Sequence, residues 1–243
     1  MIIFNKMMEE RTMTNQTIFY PEQLISLIEK SGNSISFKKG EFIYHPGDPT
    51  AYIYTIQKGQ VFISRMQEEG SELATNLLKE KGIFGAVTLF CGPKAHTASA
   101  KAKTDVTVCR LPQKEFEMLV LDNENVKTEW MRWMEIDRQR AITKIRDSVM
   151  YGKLGALCSN LIRLSNSFGE TVPEGVRITT KITNQELGLI CGTSREVVNR
   201  LLGELKREGI ISVEQKIITI HDMVKLRHLI NCENCHIDVC QVF

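Results

Sequence analysis

Residues 183–202 read TNQELGLICGTSREVVNRLL, and this stretch decides the fold of the C-terminal part of the chain. Both TNQE and TSRE match the capping box, in which an N-cap hydroxyl and a glutamate three residues later satisfy each other's backbone donors. Two helices are therefore predicted to start ten residues apart, at Thr183 and Thr193, and Gly192 is the predicted helix stop between them. A helix, a tight turn and a second helix are typical of a helix-turn-helix.

The sequence on both sides of this stretch extends it to a winged domain. A helix is predicted over residues 153–167, directly after Gly152. Strands predicted at residues 210–213 and 216–220 form a β-hairpin, the wing, and a short final helix is predicted at 221–229. We therefore expect a winged helix-turn-helix domain over residues 151–228.

The N-terminal half has the pattern of an all-β domain. From Ile35 to about Leu111, short β-type runs such as YIYTI at 52–56 and VFIS at 61–64 alternate with glycines. Regularly spaced short strands between such turns predict a β-barrel or a β-roll.

A long amphipathic helix is predicted after Pro112. Apolar side chains recur there at multiples of three to four residues, which places them in one stripe: Trp130, Met134, Ala141, Ile145 and Val149. A helix of this length that joins two domains indicates a dimer seam. The alternative is that the stripe packs on the chain's own β-domain.

Composition limits the class of protein. The chain has 243 residues, 42% of them hydrophobic, and this length and composition fit two modest soluble domains. The net charge of +2 is too small to indicate a nucleic-acid partner by itself. Neither a signal-peptide core nor a run of 18 apolar residues is present, so we expect a cytoplasmic protein with free or metal-bound thiols. No catalytic set of residues stands out, and we expect no enzyme.

Together, these features resemble the cyclic-AMP-receptor/FNR family of winged-helix regulators over roughly residues 20–230, most specifically in SREVVNR at 194–200. The resemblance implies an α+β chain. After an N-terminal extension (1–20) come a β-roll sensor domain of the cyclic-nucleotide-binding type (21–124) and a dimerisation helix (125–150), then the winged domain (151–228) and a tail (229–243). It also implies a homodimer whose partners are operator DNA and RNA polymerase.

The tail carries CENCHIDVC at 232–240. Thiolates at CxxC spacing can bind one metal centre together, and Cys240 adds a third to Cys232 and Cys235. Three thiolates leave one iron of a cubane cluster without a cysteine ligand. Zinc with His236 or His228 is the main alternative, and three uncoordinated thiols are the other.

Within the family, the tail resembles the Bacillus-type FNR, as do KIRD at 144–147 and LIRLSNSFG at 161–169. This resemblance implies a 4Fe-4S cluster on Cys232, Cys235 and Cys240, with Asp147 as the fourth ligand; Asp238, His236 and water are alternatives. It predicts an oxygen-responsive regulator of anaerobic genes that binds DNA while the cluster is intact. A zinc-stabilised or small-molecule-responsive regulator without redox sensing remains the alternative function.

The second helix of the helix-turn-helix is the predicted reader of DNA. The residues expected on its DNA face are Thr193, Ser194, Arg195, Glu196, Asn199 and Arg200. Arginine can bind guanine O6 and N7, and glutamate can accept from cytosine N4. The Arg-Glu-Arg set resembles that of the receptor protein, which implies a palindrome of TGTGA-type half-sites.

Two further expectations concern the β-roll and the basic residues. The Gly-Glu and Arg-Ser pairs with which cyclic-nucleotide members bind ribose and phosphate are missing from GAVTLF at 85–90 and KAHT at 94–97, so no cyclic nucleotide is expected. The basic residues between Arg138 and Arg163 are interpreted as phosphate contacts or a solvated helix face. Four cysteines outside the tail are expected in the core: Cys91, Cys109, Cys158 and Cys191.

Overall fold

The computed structural model describes residues 18–66, 72–85 and 95–242. Most of the predicted N-terminal extension, Cys91 and most of the segment compared with the cyclic-nucleotide motif lie outside these ranges. Within them, Cys109, Cys158 and Cys191 are buried, as predicted.

The N-terminal domain is a β-roll of two four-stranded antiparallel sheets, which confirms the predicted architecture. Helix α1 (Glu22–Ser31) precedes the roll. The strands are β1 (Asn33–Phe37), β2 (Phe42–Tyr44), β3 (Tyr52–Lys58), β4 (Val61–Met66), β5 (Glu72–Leu78), β6 (Ile83–Gly85), β7 (Ser99–Ala102) and β8 (Val106–Pro112). One sheet has the order β1-β8-β3-β6 and the other has the order β2-β7-β4-β5.

Helix α2 (Gln113–Leu121) leads into the long helix α3 (Glu124–Phe168). The Asn123 side chain caps α3 by accepting from the backbone N–H groups of Asn125 and Val126. The helix is broken at Gly152, whose φ of 59° and ψ of −152° form a conformation that L side chains rarely adopt. The predicted separation of a dimerisation helix from the helix that follows it therefore falls at Gly152.

The apolar stripe on α3 has two different surroundings. Trp130 is buried, and its ring meets that of Phe116 of α2 edge-on at 5.3 Å between centroids. Ile145 and Val149 are 63% and 77% exposed. The prediction that the whole stripe forms a dimer seam is thus wrong for Trp130, because α2 and the roll cover the start of the helix. For the exposed part of the stripe, the dimer seam stays a prediction.

The C-terminal domain consists of the second part of α3, two helices, a four-stranded sheet and a short last helix. The strands are β9 (Gly169–Val172), β10 (Gly175–Ile178), β11 (Ile211–Glu214) and β12 (Ile217–Ile220), and the helices are α4 (Asn184–Cys191), α5 (Arg195–Arg207) and α6 (Met223–His228). The strands form one sheet in the order β11-β12-β10-β9.

The wing hairpin is confirmed with shifted limits. Gln215 and Lys216 form its turn, with φ values of 50° and 69°, the positive pair that a two-residue type I′ hairpin turn requires. Strand β11 therefore starts and ends one residue later than predicted. Helix α6 also starts later than predicted, because the Asp222 side chain caps it by accepting from Lys225 N at 2.7 Å. Within the described ranges, every helix is too short or too polar to cross a membrane.

Candidate metal centre and nucleic-acid interface

The first capping box of the helix-turn-helix is formed as predicted. Thr183 N donates to Glu186 Oε2 at 2.7 Å, and Glu186 N donates to Thr183 Oγ1 at 3.1 Å. Gly192 ends α4 in the left-handed region, with φ of 60° and ψ of 42°. These contacts fix the start of α4 and the tight turn into α5.

The second predicted capping box, at Thr193, is wrong by one residue. Ser194 is the N-cap of α5, and its hydroxyl accepts from Val197 N at 3.3 Å. Thr193 N instead donates to Gly188 O at 2.9 Å, so Thr193 belongs to the end of α4. Its buried hydroxyl has no hydrogen-bond partner among the described residues.

Helix α5 has one buried and one exposed face. Its buried side chains recur at helical spacing and pack into the domain core: Val198, Leu201, Leu202 and Leu205. Arg195, Glu196, Asn199 and Arg200 are exposed on the remaining surface. Arg200 is paired with Glu204 at 2.7 Å, and the Asn199 side chain accepts from Asn184 of α4. Arg195, Glu196, Asn199 and Arg200 are thus accessible on α5. Ser194, the N-cap of α5, is exposed as well, whereas Thr193 is half-buried at the end of α4.

The tail cysteines lie against the broken helix. Cys232, Cys235 and Cys240 line one small cavity together with Asp147, and the other lining residues are Arg146, Ser159, Ile162, Arg163 and Ile230. Asp147 precedes the break at Gly152, whereas Ser159 and Arg163 follow it. The structure therefore brings all four predicted cluster ligands to one place, where the tail meets both parts of α3.

Asp147 is buried, with 3% of its surface exposed, and it is held by three side chains. Ser159 Oγ donates to its Oδ2, Arg146 contacts Oδ1 at 2.5 Å, and Arg163 Nη2 lies 3.3 Å from Oδ2. The negative charge is thus compensated by two arginines. Arg146 is also paired with Glu233, which lies within the CxxC sequence of the tail.

The two alternative ligands of the tail have other partners. Asp238 Oδ1 accepts from Phe19 N at 2.7 Å, and its Oδ2 lies 3.9 Å from Arg132 and 3.3 Å from His236 Nδ1. Neither Asp238 nor His236 lines the cavity that the three cysteines share with Asp147. The position of the side chains therefore favours Asp147 over both.

Two thiols of the cavity, those of Cys235 and Cys240, have a raised pKa, which favours their protonated form. Burial raises the pKa of Cys240 to about 11, with Arg163 acting in the opposite direction, and burial also raises the pKa of Cys235. A metal centre must displace these protons, because thiolates are the ligands. Among the described residues, no three His, Cys, Asp or Glu side chains are grouped closely enough for a single metal ion.

The donor set fits an iron–sulfur cluster by its chemistry, since three thiols and one carboxylate border the same cavity. The cavity encloses about 10 Å³, room for about one water. Asn231 and Asn234 have positive φ values of 41° and 52°, so the segment that carries Cys232 and Cys235 is irregular backbone. A cluster would require this segment to move outward from α3.

Sequence reasoning missed the role of several basic residues around the break. Arg140 and Arg163 are buried, and the amine of Lys144 donates to Thr75 O of β5 at 2.8 Å. These three are neither phosphate contacts nor a solvated face, which corrects the interpretation of the basic run. The spacing of 140, 144 and 163 along a helix with a break gave no signal that Arg140 and Arg163 face the tail and that Lys144 faces the β-roll.

Comparison with known proteins agrees with this architecture. Residues 34–123 match the cyclic nucleotide-binding domain family, and residues 155–229 match the Crp-like helix-turn-helix domain family. The chain is 34% identical over 221 residues to the anaerobic regulatory protein of Bacillus subtilis, covering 90% of this chain and 92% of that protein. It is 29% identical over 180 residues to the cAMP-activated global transcriptional regulator CRP of Salmonella typhimurium, covering 74% and 85%.

Solved structures share the fold at low sequence identity. The c-di-GMP responsive global regulator CLP of Xanthomonas campestris matches with a TM-score of 0.72 at 17% identity, over 83% of this chain and 99% of that one. A CooA variant of Carboxydothermus hydrogenoformans matches with a TM-score of 0.71 at 20% identity, over 89% and 96%.

The β-roll, the long helix and the winged helix-turn-helix define a DNA-binding transcription regulator rather than an enzyme. The chain belongs to the CRP/FNR family. Membership in this family implies DNA binding and dimerisation, for which α5 and the exposed apolar part of α3 are the surfaces available in the described structure.

Proposed function

We propose that the protein is an oxygen-responsive regulator that binds operator DNA as a dimer while a 4Fe-4S cluster is bound by Cys232, Cys235, Cys240 and Asp147. The observation that carries this proposal is the shared cavity, in which three tail thiols and a helix carboxylate converge. The similarity to a Bacillus subtilis protein named for anaerobic regulation supports the choice of signal.

The proposed cluster ligands come from two parts of the chain. Asp147 comes from α3 before the break at Gly152, and the three thiols come from the tail that follows the winged domain. Bound there, the cluster would supply an oxygen-sensitive link between them. A carboxylate holds iron less firmly than a thiolate does, so Asp147 is the weaker ligand of the set. Ser159 and the arginines orient this carboxylate in the absence of metal.

The proposed DNA target is a palindrome of TGTGA-type half-sites, read by Arg195, Glu196 and Arg200. All three are exposed on α5, and Arg200 must leave Glu204 to reach a base. Asn199 lies on the same surface. RNA polymerase is the proposed second partner, and the cytoplasm is the compartment in which both contacts occur.

The test compares Cys235→Ser with Cys109→Ser. Cys109 is a buried core thiol whose Sγ donates to Ile28 O at 3.3 Å, so the serine variant is a control for thiol loss away from the tail. Anaerobically purified wild type and control should contain iron and sulfide, absorb in the visible range and bind operator DNA, and air should abolish all of this. Cys235→Ser should lose the iron and the binding. A colourless wild type that holds stoichiometric zinc overturns the proposal.

A small-molecule-responsive regulator is the second candidate function. A cavity of about 460 Å³ lies between the roll and α3, with Tyr44, His96, Trp133 and Arg140 among its lining residues. Its size suits a small ligand. Operator binding that is unaffected by oxygen and requires an added extract of small metabolites would favour this function over cluster sensing.

A further inference from the structure

The last residues of the described tail are bound mainly through their backbone. We call residues 238–242 the tail anchor, and Gln241 and Val242 within it are buried. Side chains of α3 bind three of its five carbonyls and one of its N–H groups, and the backbone of β5 binds one more carbonyl, that of Val242. The pairs are Arg140 Nε to Asp238 O (2.6 Å), Arg163 Nη1 to Val239 O (2.9 Å), Asn166 Nδ2 to Cys240 O (2.8 Å), Val242 N to Ser167 Oγ (3.2 Å) and Leu77 N to Val242 O (3.1 Å).

Two arginines on opposite sides of the break bind consecutive carbonyls of the anchor. Arg140 precedes Gly152 and Arg163 follows it, and their exposed fractions are 6% and 2%. Gly152 can change its backbone angles at little cost, so the two parts of α3 need a further contact to fix their relative orientation. The tail anchor supplies this contact, because both guanidiniums donate to it.

Arg163 also joins the two parts of α3 directly. Its Nη2 donates to Thr143 Oγ1 at 2.9 Å and lies 3.3 Å from Asp147 Oδ2, and its Nε donates to Ser159 Oγ at 3.1 Å. One guanidinium therefore contacts the tail anchor, the helix before the break and the helix after it.

The charges around the break oppose this arrangement when the tail is absent. Burial, together with the like charge of Arg163, lowers the pKa of Arg140 to about 10 and that of Lys144 to about 7. Asp137, Asp147 and Asp238 are the acids that face these cations. A buried guanidinium that loses its acceptor carries a large desolvation cost. Release of the anchor would thus drive Arg140 and Arg163 toward water and apart from each other.

We propose that Arg140 and Arg163 are positioning residues that convert docking of the tail anchor into a fixed orientation of the DNA-binding domain. The segment that carries Cys232 and Cys235 moves with the state of the cluster, and the two arginines sense whether the anchor, which includes Cys240, is docked. The inference rests on the proposed function for what controls docking, but the contacts that transmit docking involve no metal.

The experiment compares Arg140→Lys and Arg163→Lys with Arg138→Lys. Arg138 lies on the same helix but is exposed and paired with Glu135 at 2.7 Å, so its variant controls for the loss of a guanidinium. Hydrogen exchange of amides 239–242, operator affinity and iron content are measured on the same anaerobic preparations. Both buried variants should exchange these amides at least 10-fold faster and bind operator at least 10-fold more weakly. The iron comparison is made on Arg140→Lys, which should hold as much iron as the wild type, because Arg163 is itself a partner of the proposed ligand Asp147.

The double variant separates transmission from a general structural effect. If both arginines respond to the same docking event, the double variant should weaken operator binding no more than the more damaging of the two single variants does. If the arginines act independently, the fold-losses in operator affinity of the two single variants should multiply in the double variant. Thr143→Val, which removes one acceptor of Arg163 and keeps the charge, should weaken binding several-fold and serves if a lysine variant fails to fold. Unchanged tail exchange and operator affinity in these variants overturn the inference. Iron missing from the wild type defeats the proposed function alone, since the exchange and affinity comparisons still decide the role of the arginines.

Discussion

Replacement of Asp147 separates its role in the fold from its role as a ligand. If Asp147 were an exposed helix residue paired with a neighbour, its loss would cost a few tenths of a kcal/mol. It is instead 3% exposed and lies between Arg146 and Arg163, with Ser159 as a donor. Removing one partner from a buried ion pair costs about 3 to 5 kcal/mol, because the remaining charge is left uncompensated. Asp147→Ala should therefore lower the free energy of unfolding of the metal-free protein by about this amount.

Urea denaturation of the metal-free protein measures this change, with Glu135→Ala as a control that removes one exposed acid from the same helix. Asp147→Asn keeps the size of the side chain and an acceptor for Ser159, so it should cost less than Asp147→Ala and fold well enough for the second measurement. In that measurement, anaerobic Asp147→Asn should hold less iron than the wild type or lose its visible absorption faster in air.

Two results would refute the reasoning. A loss below about 1 kcal/mol in Asp147→Ala, the range of exposed pairs, would contradict the buried charge network. An Asp147→Asn variant with the cluster spectrum, oxygen-decay rate and operator affinity of the wild type would show that another group completes the cluster.

Three further predictions concern the DNA face, the dimer surface and a buried amine. Arg200→Ala should lose about 1 to 3 kcal/mol of discrimination between operator and scrambled DNA, and equal weakening on both sequences in a titration would exclude base reading. Ile145→Asp places a charge on an exposed apolar residue of the proposed seam, so light scattering should find a monomer with wild-type circular dichroism, and a persisting dimer would argue against this surface. Burial lowers the pKa of Lys144 to about 7, so the folded protein releases this proton at lower pH than the unfolded chain does, and stability should rise from pH 7 toward the ordinary lysine pKa. Lys144→Met should remove that contribution, up to about 1.4 kcal/mol per pH unit, and identical pH slopes for the two proteins in urea denaturation would contradict it.

Local signals in the sequence predicted most of the architecture, because each depends on neighbouring residues. The alternating strands, the capping box at Thr183 and the glycines at 152 and 192 all act within a few residues. The N-cap of α5 was misplaced because Thr193 and Ser194 are both good caps, and the bond from Thr193 N to Gly188 O decides between them. This bond depends on the geometry of the turn.

The site was only partly predictable, because its contacts are distant in sequence. The tail cysteines were predicted from their spacing and Asp147 from resemblance, and their common cavity depends on how the tail packs on α3. The burial of Arg140 and Arg163 could not be inferred, since an arginine on a helix is ordinarily exposed. Their acceptors are backbone carbonyls that lie 98 residues away for Arg140 and 76 residues away for Arg163. Every residue has a backbone carbonyl, so the residue type at 238 or 239 does not show that its carbonyl binds an arginine.

The end of the tail anchor contacts both halves of the molecule, and this limits how far the protein can be treated as interchangeable modules. Val242 accepts from Leu77 of the β-roll and donates to Ser167 of the DNA-binding half. A chimaera that joins this winged domain and tail to the β-roll of another family member would meet a foreign β5 at that point. Such hybrids should retain regulation only when the grafted strand still presents a free backbone N–H group at the position of Leu77, whatever side chain it carries there.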